Sequence, residues 1–179
     1  MNTPAFALRS PSASQMRRRA VGDVGEAVLA RHHAAAELRG VGLLRRQQAP
    51  YRVLGPARPE GLRVVPAGKG SVDYLGHLKG RCLGVECKRV EGGDRWPLDT
   101  LPVHQRQELA ALHLGGALAY VVLVWGCGRE LRIVTLPWTQ VRSWIAAECV
   151  SVGGDMLRVY AGAPGELCYL ERIAREVGL

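Results

Sequence analysis

Residues 117–125 read A-L-A-Y-V-V-L-V-W, a nearly continuous apolar run rich in aliphatic residues. A strand with one wet face would alternate apolar and polar residues, and a membrane-spanning helix needs about 20 apolar residues. The run therefore predicts a strand buried on both faces, which requires a layer on each side of its sheet. Predicted helices stand ready to supply those layers. Over residues 18–39 Val21, Val24, Ala27, Val28 and Leu38 form a stripe, with Gly40 as a stop. Further helices are predicted over residues 100–114, 137–147 (opened by Pro137) and 167–175. Strands are predicted at 71–75, 81–88, 130–136 and 156–160, with a polar, Gly-rich stretch at 91–99 between them. The order of helices and strands predicts an α/β fold, a mixed central sheet flanked by helices.

At 179 residues the chain is expected to form a single domain over residues 18–179, preceded by a flexible basic arm, residues 1–17. Residues 41–70 are broken by Pro50, Pro56, Pro59 and Pro66, with strand-like pieces at 51–54 and 62–65. Residues 47–69 are accordingly expected to form a projecting hairpin or long loop. The N-terminus lacks the ordered basic, apolar and small-residue regions of a secretory signal, so a cytoplasmic location is expected. The cysteines form no C-x-x-C pair and are odd in number, five in all, so reduced and mostly buried thiols are expected rather than a disulfide framework or a zinc site.

The formal net charge of +8 implies a polyanionic partner, because clustered cations gain affinity by releasing the counterions condensed on phosphates. A basic surface serving solubility is the plainer alternative. Arg17, Arg18, Arg19, Arg52, Arg58, Arg63 and Lys69 are the candidate DNA contacts. Tyr51 and Trp96 are candidates for stacking on bases or, more simply, for local packing. Basic residues are nearly all arginine, with lysine only at positions 69, 79 and 88. A compact ammonium differs from a guanidinium fork in what it can do beside a reacting atom, so Lys88 attracts notice.

Glu86 and Lys88 lie two apart on a predicted strand and share a face with the small Cys82 and Gly84, while Leu83, Val85 and Cys87 face the core. Alone, E-C-K is a weak signal that also occurs on solvated strands. Asp73 sits on the preceding strand of a predicted antiparallel hairpin, where it can converge with Glu86 on one hard cation. Two carboxylates beside a lysine suit phosphodiester hydrolysis with Mg2+ or Mn2+. The Asp73 and Glu86-Cys87-Lys88 spacing resembles that of the PD-(D/E)XK nucleases, with Val72 in place of the proline that gives them their name. The longer phrases G-S-V-D-Y-L-G-H-L-K-G-R-C-L-G-V-E-C-K-R-V, R-W-P-L-D-T-L-P-V-H-Q and G-G-A-L-A-Y-V-V-L-V-W resemble RecU-type Holliday junction resolvases over about residues 19–172.

That resemblance implies a restriction-endonuclease-like fold and a homodimer that cuts four-way DNA junctions in recombination and repair. It implies metal ligands in Asp73, Glu86 and the Cys87 carbonyl, a catalytic Lys88, and supporting roles for Gln105 and for Glu26 on the first helix. Residues 47–69 are shorter and poorer in aromatics than the projection of such resolvases. That keeps a nicking or restriction-type nuclease open as an alternative, beside a junction-binding protein that does not cut.

Overall fold

A computed structural model describes residues 13–48, 51–53, 64–66, 71–91, 93–126, 130–163, 166 and 168–179, with side chains described from residue 24 and not for 51–53 or 64–66. Its centre is a five-stranded mixed sheet made from β1 (Gly42–Arg46), β4 (Tyr74–Leu78), β5 (Arg81–Val90), β7 (Leu118–Trp125) and β8 (Arg132–Pro137) in the spatial order β1-β4-β5-β7-β8. Neighbours are antiparallel except β5 and β7, which run parallel. A parallel pair needs a crossover, and α2 (Val103–Leu114) lies within it. As the apolar run predicts, β7 is an interior strand, between β5 and β8, with Leu118 through Val124 all buried.

Between β4 and β5 only Lys79 and Gly80 turn the chain, at φ 46° and 82°. A two-residue hairpin of this kind demands positive φ at both positions. The hairpin is the predicted one, but β4 begins three residues later than expected and leaves Asp73 just ahead of the strand.

Helix α1 (Ala13–Leu38) and α5 (Tyr169–Glu176) cover one face, where Leu29, Ala36, Leu83, Val85, Val122, Leu170 and Ile173 form a core. On the other face Leu109, Val121, Leu123, Leu136, Val141 and Leu157 pack with Trp96, Trp138 and Trp144 against α2 and α3 (Trp138–Ala146). Two short pairs complete the described elements. One joins β2 (Tyr51–Val53) to β3 (Val64–Pro66), and the other joins β6 (Arg95–Pro97) to β9 (Ser151–Gly153). No helix among the described residues is long and apolar enough to cross a membrane.

Several expectations are corrected. Helix α1 starts at Ala13, five residues earlier than expected, so Arg17 lies within it, with Arg18 and Arg19, rather than in the arm. Its buried stripe is Leu29, His32, His33 and Ala36, whereas Val24 and Leu38 are exposed. The histidine rings supply apolar body to the core, and His33 Nε2 and the Tyr169 hydroxyl satisfy each other at 2.8 Å. Residues 156–160 are not a strand. They enter α4 (Gly154–Arg158) and the turn after it, because Leu157 and Tyr160, three apart, pack against the core while Met156 and Val159 are exposed. Trp96 is 1% exposed and donates Nε1–H to Thr100 Oγ1, so it is closed to bases. Of the described cysteines, Cys82 and Cys149 are exposed, Cys87 is half-buried and Cys168 is buried.

Candidate active site

Glu86 projects from β5 toward α2 and is fully buried. Its Oε1 accepts from Lys88 Nζ at 2.9 Å, and the same ammonium donates to Gln105 Oε1 on α2 at 2.8 Å. Strand periodicity places Glu86 and Lys88 on one face, and the packing of α2 against β5 brings Gln105 to meet them. Glu86 Oε2 has no hydrogen-bond partner although it is buried. Burial first, and then the charge on Asp73, push the Glu86 carboxyl up to about 7, against the opposing pull of Lys88.

Asp73 reaches the site from the bend before β4, where its Oδ2 accepts the backbone N–H of Cys87 at 2.8 Å. Its own carbonyl accepts from the Gln47 N–H at 2.8 Å, so the side chain and the backbone of Asp73 are each tied to a neighbouring segment. Glu26 of α1 arrives at the same place but faces Arg46 of β1, whose Nη1 and Nη2 donate to its two oxygens at 2.6 and 2.7 Å. A cavity of about 260 Å³ is lined by Glu26, Arg46, Asp73, Glu86, Lys88 and Gln105, with Gly25, Tyr74, Cys87 and Arg89 completing its walls. All five residues expected to carry chemistry therefore share one cavity.

The small residues that share the face of Glu86 leave it little room. Gly84 does leave a gap, but Leu112 of α2 fills it so closely that a Cβ on residue 84 would lie 2.4 Å from Leu112 Cδ1. On the α1 side the cavity is lined by Gly25 and Glu26.

Among the described residues no group of three or more His, Cys, Asp or Glu side chains is gathered to hold a metal. What the site offers is two carboxylates, Asp73 and Glu86, with Glu26 engaged by Arg46. A buried carboxylate oxygen without a partner beside a second carboxylate is costly in the free protein. A hard divalent cation would relieve that cost, and the donor set suits one.

Arg46 was not foreseen. No local motif marks it, and only the register of β1 on β4, which sets Arg46 opposite Tyr74, brings it to the cavity. Arg52 lies on β2 opposite Val65. Arg58, Arg63 and Lys69 fall outside the described residues.

No family model matches the chain, and no curated protein does. Among solved structures it is similar to Hjc of Archaeoglobus fulgidus, a Holliday junction resolvase from an archaeal hyperthermophile. Identity is 16% and the TM-score 0.36, over 59% of this chain and 70% of the other. That likeness is too remote to assign a family.

Proposed function

We propose that the chain is a divalent-metal-dependent DNA endonuclease that cuts four-way junctions, in keeping with its resemblance to RecU-type resolvases. The observation that carries the reading is the meeting of Asp73, Glu86, Lys88 and Gln105 in one cavity around a buried carboxylate oxygen that lacks a partner. Asp73, Glu86 and the Cys87 carbonyl would hold Mg2+ or Mn2+, and such an ion supplies charge stabilisation at phosphorus and an acidified water.

The chain's own residues perform the remaining tasks. Asp73 is fixed by the Cys87 N–H, so its carboxylate needs little reorganisation. Lys88 spends two donors on Glu86 and Gln105, and an ammonium has three. The third can orient the attacking water or meet charge gathering on the phosphate. Gln105 holds Lys88 in place, which makes it a positioning residue. Arg46 offers a guanidinium for a backbone phosphate on the α1 side, and Glu26 would be released from it to support the metal or accept a proton. The net charge of +8 favours a polyanionic substrate, with Arg17, Arg18, Arg19, Arg52, Arg58, Arg63 and Lys69 as candidate contacts on its backbone. Symmetric cutting of a junction needs two such sites, hence a twofold homodimer acting on DNA in the cytoplasm.

The test is cleavage of a labelled four-way junction and of a matched linear duplex by wild type and Asp73→Ala, in Mg2+, in Mn2+ and in chelator. Metal-dependent, symmetric cutting of the junction alone, lost in the variant, is the expected result. Cutting of both substrates would replace junction selectivity with a broader nuclease, and tight binding without cutting would replace the enzyme with a junction-binding protein.

A further inference from the structure

Six charged side chains line the cavity, three acidic and three basic: Glu26, Asp73, Glu86, Arg46, Lys88 and Arg89. Two ion pairs use four of them, Arg46 with Glu26 and Lys88 with Glu86. Asp73 is held by a backbone N–H, and Arg89 remains.

The Arg89 side chain is only 10% exposed, yet its nearest carboxylate is Glu91 at 3.8 Å, itself 42% exposed. The Arg89 Nη1 donates to the carbonyls of Val90 at 3.1 Å and Val124 at 2.7 Å, the C-terminal ends of β5 and β7. Its Nε is buried with no partner. Opposite the stem is Gly25 of α1, where a Cβ would sit 3.4 Å from Arg89 Cδ, so the helix approaches closely over this side chain.

Carbonyl oxygens satisfy hydrogen bonds but not the charge, and the long ion pair to the hydrated Glu91 offsets it only weakly, whereas a buried charge is stabilised by a close group of opposite sign. Lysine and arginine are also not equivalent here, since only the planar fork can cap a carbonyl with one nitrogen and present the other nitrogens elsewhere. We infer that Arg89 is a phosphate-binding residue of the cavity, contacting a backbone phosphate of the DNA next to the one held between Asp73, Glu86 and Lys88. The inference rests on the nuclease reading for its ligand. In this arrangement Asp73 awaits a cation and Arg89 an anion, and the bound phosphodiester backbone with its metal supplies both.

The experiment measures binding of the full-length protein to the labelled four-way junction in chelator, as log K against log salt concentration, with melting temperature recorded for each variant. R89Q keeps a donor for the carbonyls and removes the charge, R89M repeats the charge removal on a stem of similar length, and R89K keeps the charge but loses the fork. The expected result is binding weakened roughly tenfold in R89Q and R89M. Their salt slope should be smaller by about 0.9, the value of one phosphate contact, while R89K keeps the wild-type slope. A role confined to capping β5 and β7 lowers melting temperature in all three and moves no slope, and that outcome would overturn the inference. Cleavage in Mg2+, read separately, tells the two proposals apart. A wild type that cuts while R89Q and R89M keep its slope loses the Arg89 contact alone, and a wild type that binds with an Arg89-dependent slope but never cuts loses the nuclease alone.

Discussion

Leu83 and Val85 point from β5 toward α1 into an apolar core, whereas Gly84, Glu86 and Lys88 leave the opposite face toward α2. Leu83 and Glu86 are equally dry at 0% exposure. Burial at the first removes apolar surface from water and stabilises the fold. At the second it strips a carboxylate of its hydration and leaves Oε2 without a partner. Over Leu83–Lys88 the strand thus carries the fold on one set of alternate residues and the proposed chemistry on the other, and a substitution within that stretch should damage one or the other according to its parity.

The sharpest break between the faces should come from Glu86→Ala and Lys88→Ala, which are expected to lower the rate of junction cleavage by roughly a thousandfold, in the range seen when one transition-state contact is removed. Gel-shift binding to the junction in chelator should persist, and a parallel loss of binding would place these residues in recognition instead. The converse substitution, Leu83→Ala, is expected to destabilise by about 2–5 kcal/mol in urea titrations. Cleavage per folded molecule should stay at the wild-type level, and a specific rate that fell with it would mean that the two faces are coupled.

The α1 face should also respond to acid. Burial, and secondarily the neighbouring His32, holds His33 down at about 4 against an ordinary 6.5. Below pH 6.5 the unfolded chain takes up a proton that the folded chain refuses, so stability should fall as pH drops from 6.5 to 4, by about 3 kcal/mol in all. Urea midpoints across that window, compared with those of His33→Gln, check the contribution, and identical pH profiles would remove it. Gly84→Ala, on the face that also carries Glu86 and Lys88, pushes a methyl group toward Leu112 and is expected to cost about 1–3 kcal/mol. The smallest effect should be that of Gln105→Ala, about a tenfold fall in kcat with KM little changed, as befits a group that only steadies Lys88. A change confined to KM would make Gln105 a substrate contact.

What could be read from sequence was whatever chain-neighbouring geometry determines. Asp73, Glu86 and Lys88 lie on one tight hairpin, so strand periodicity and a two-residue turn suffice to bring them together. The apolar run of β7 likewise announced its own burial. Arg46 and Arg89 depend instead on how β1 registers against β4 and on where α1 crosses β5, distances that no local pattern encodes. Trp96 was left between stacking and packing because its neighbours are glycine, charge and proline, the composition of a loop, and pairing of β6 with β9 decides for packing by burying it. Residues 156–160 failed for a related reason. Only Leu157 carries a buried apolar side chain, and one such residue cannot distinguish a period of two from one of 3.6.

The hydrogen bond from Gln47 N–H to Asp73 O closes the base of the excursion that contains β2 and β3. A chain segment fastened at its root can be lengthened or shortened in its outer part without transmitting the change to what lies beneath. The entropy of closure rises by only about 0.6 kcal/mol for each doubling of loop length. Asp73 belongs to the fastened side. Descendants of this chain, natural or designed, can therefore exchange the segment between Gln47 and Asp73 while the hairpin that holds the two carboxylates is inherited unchanged.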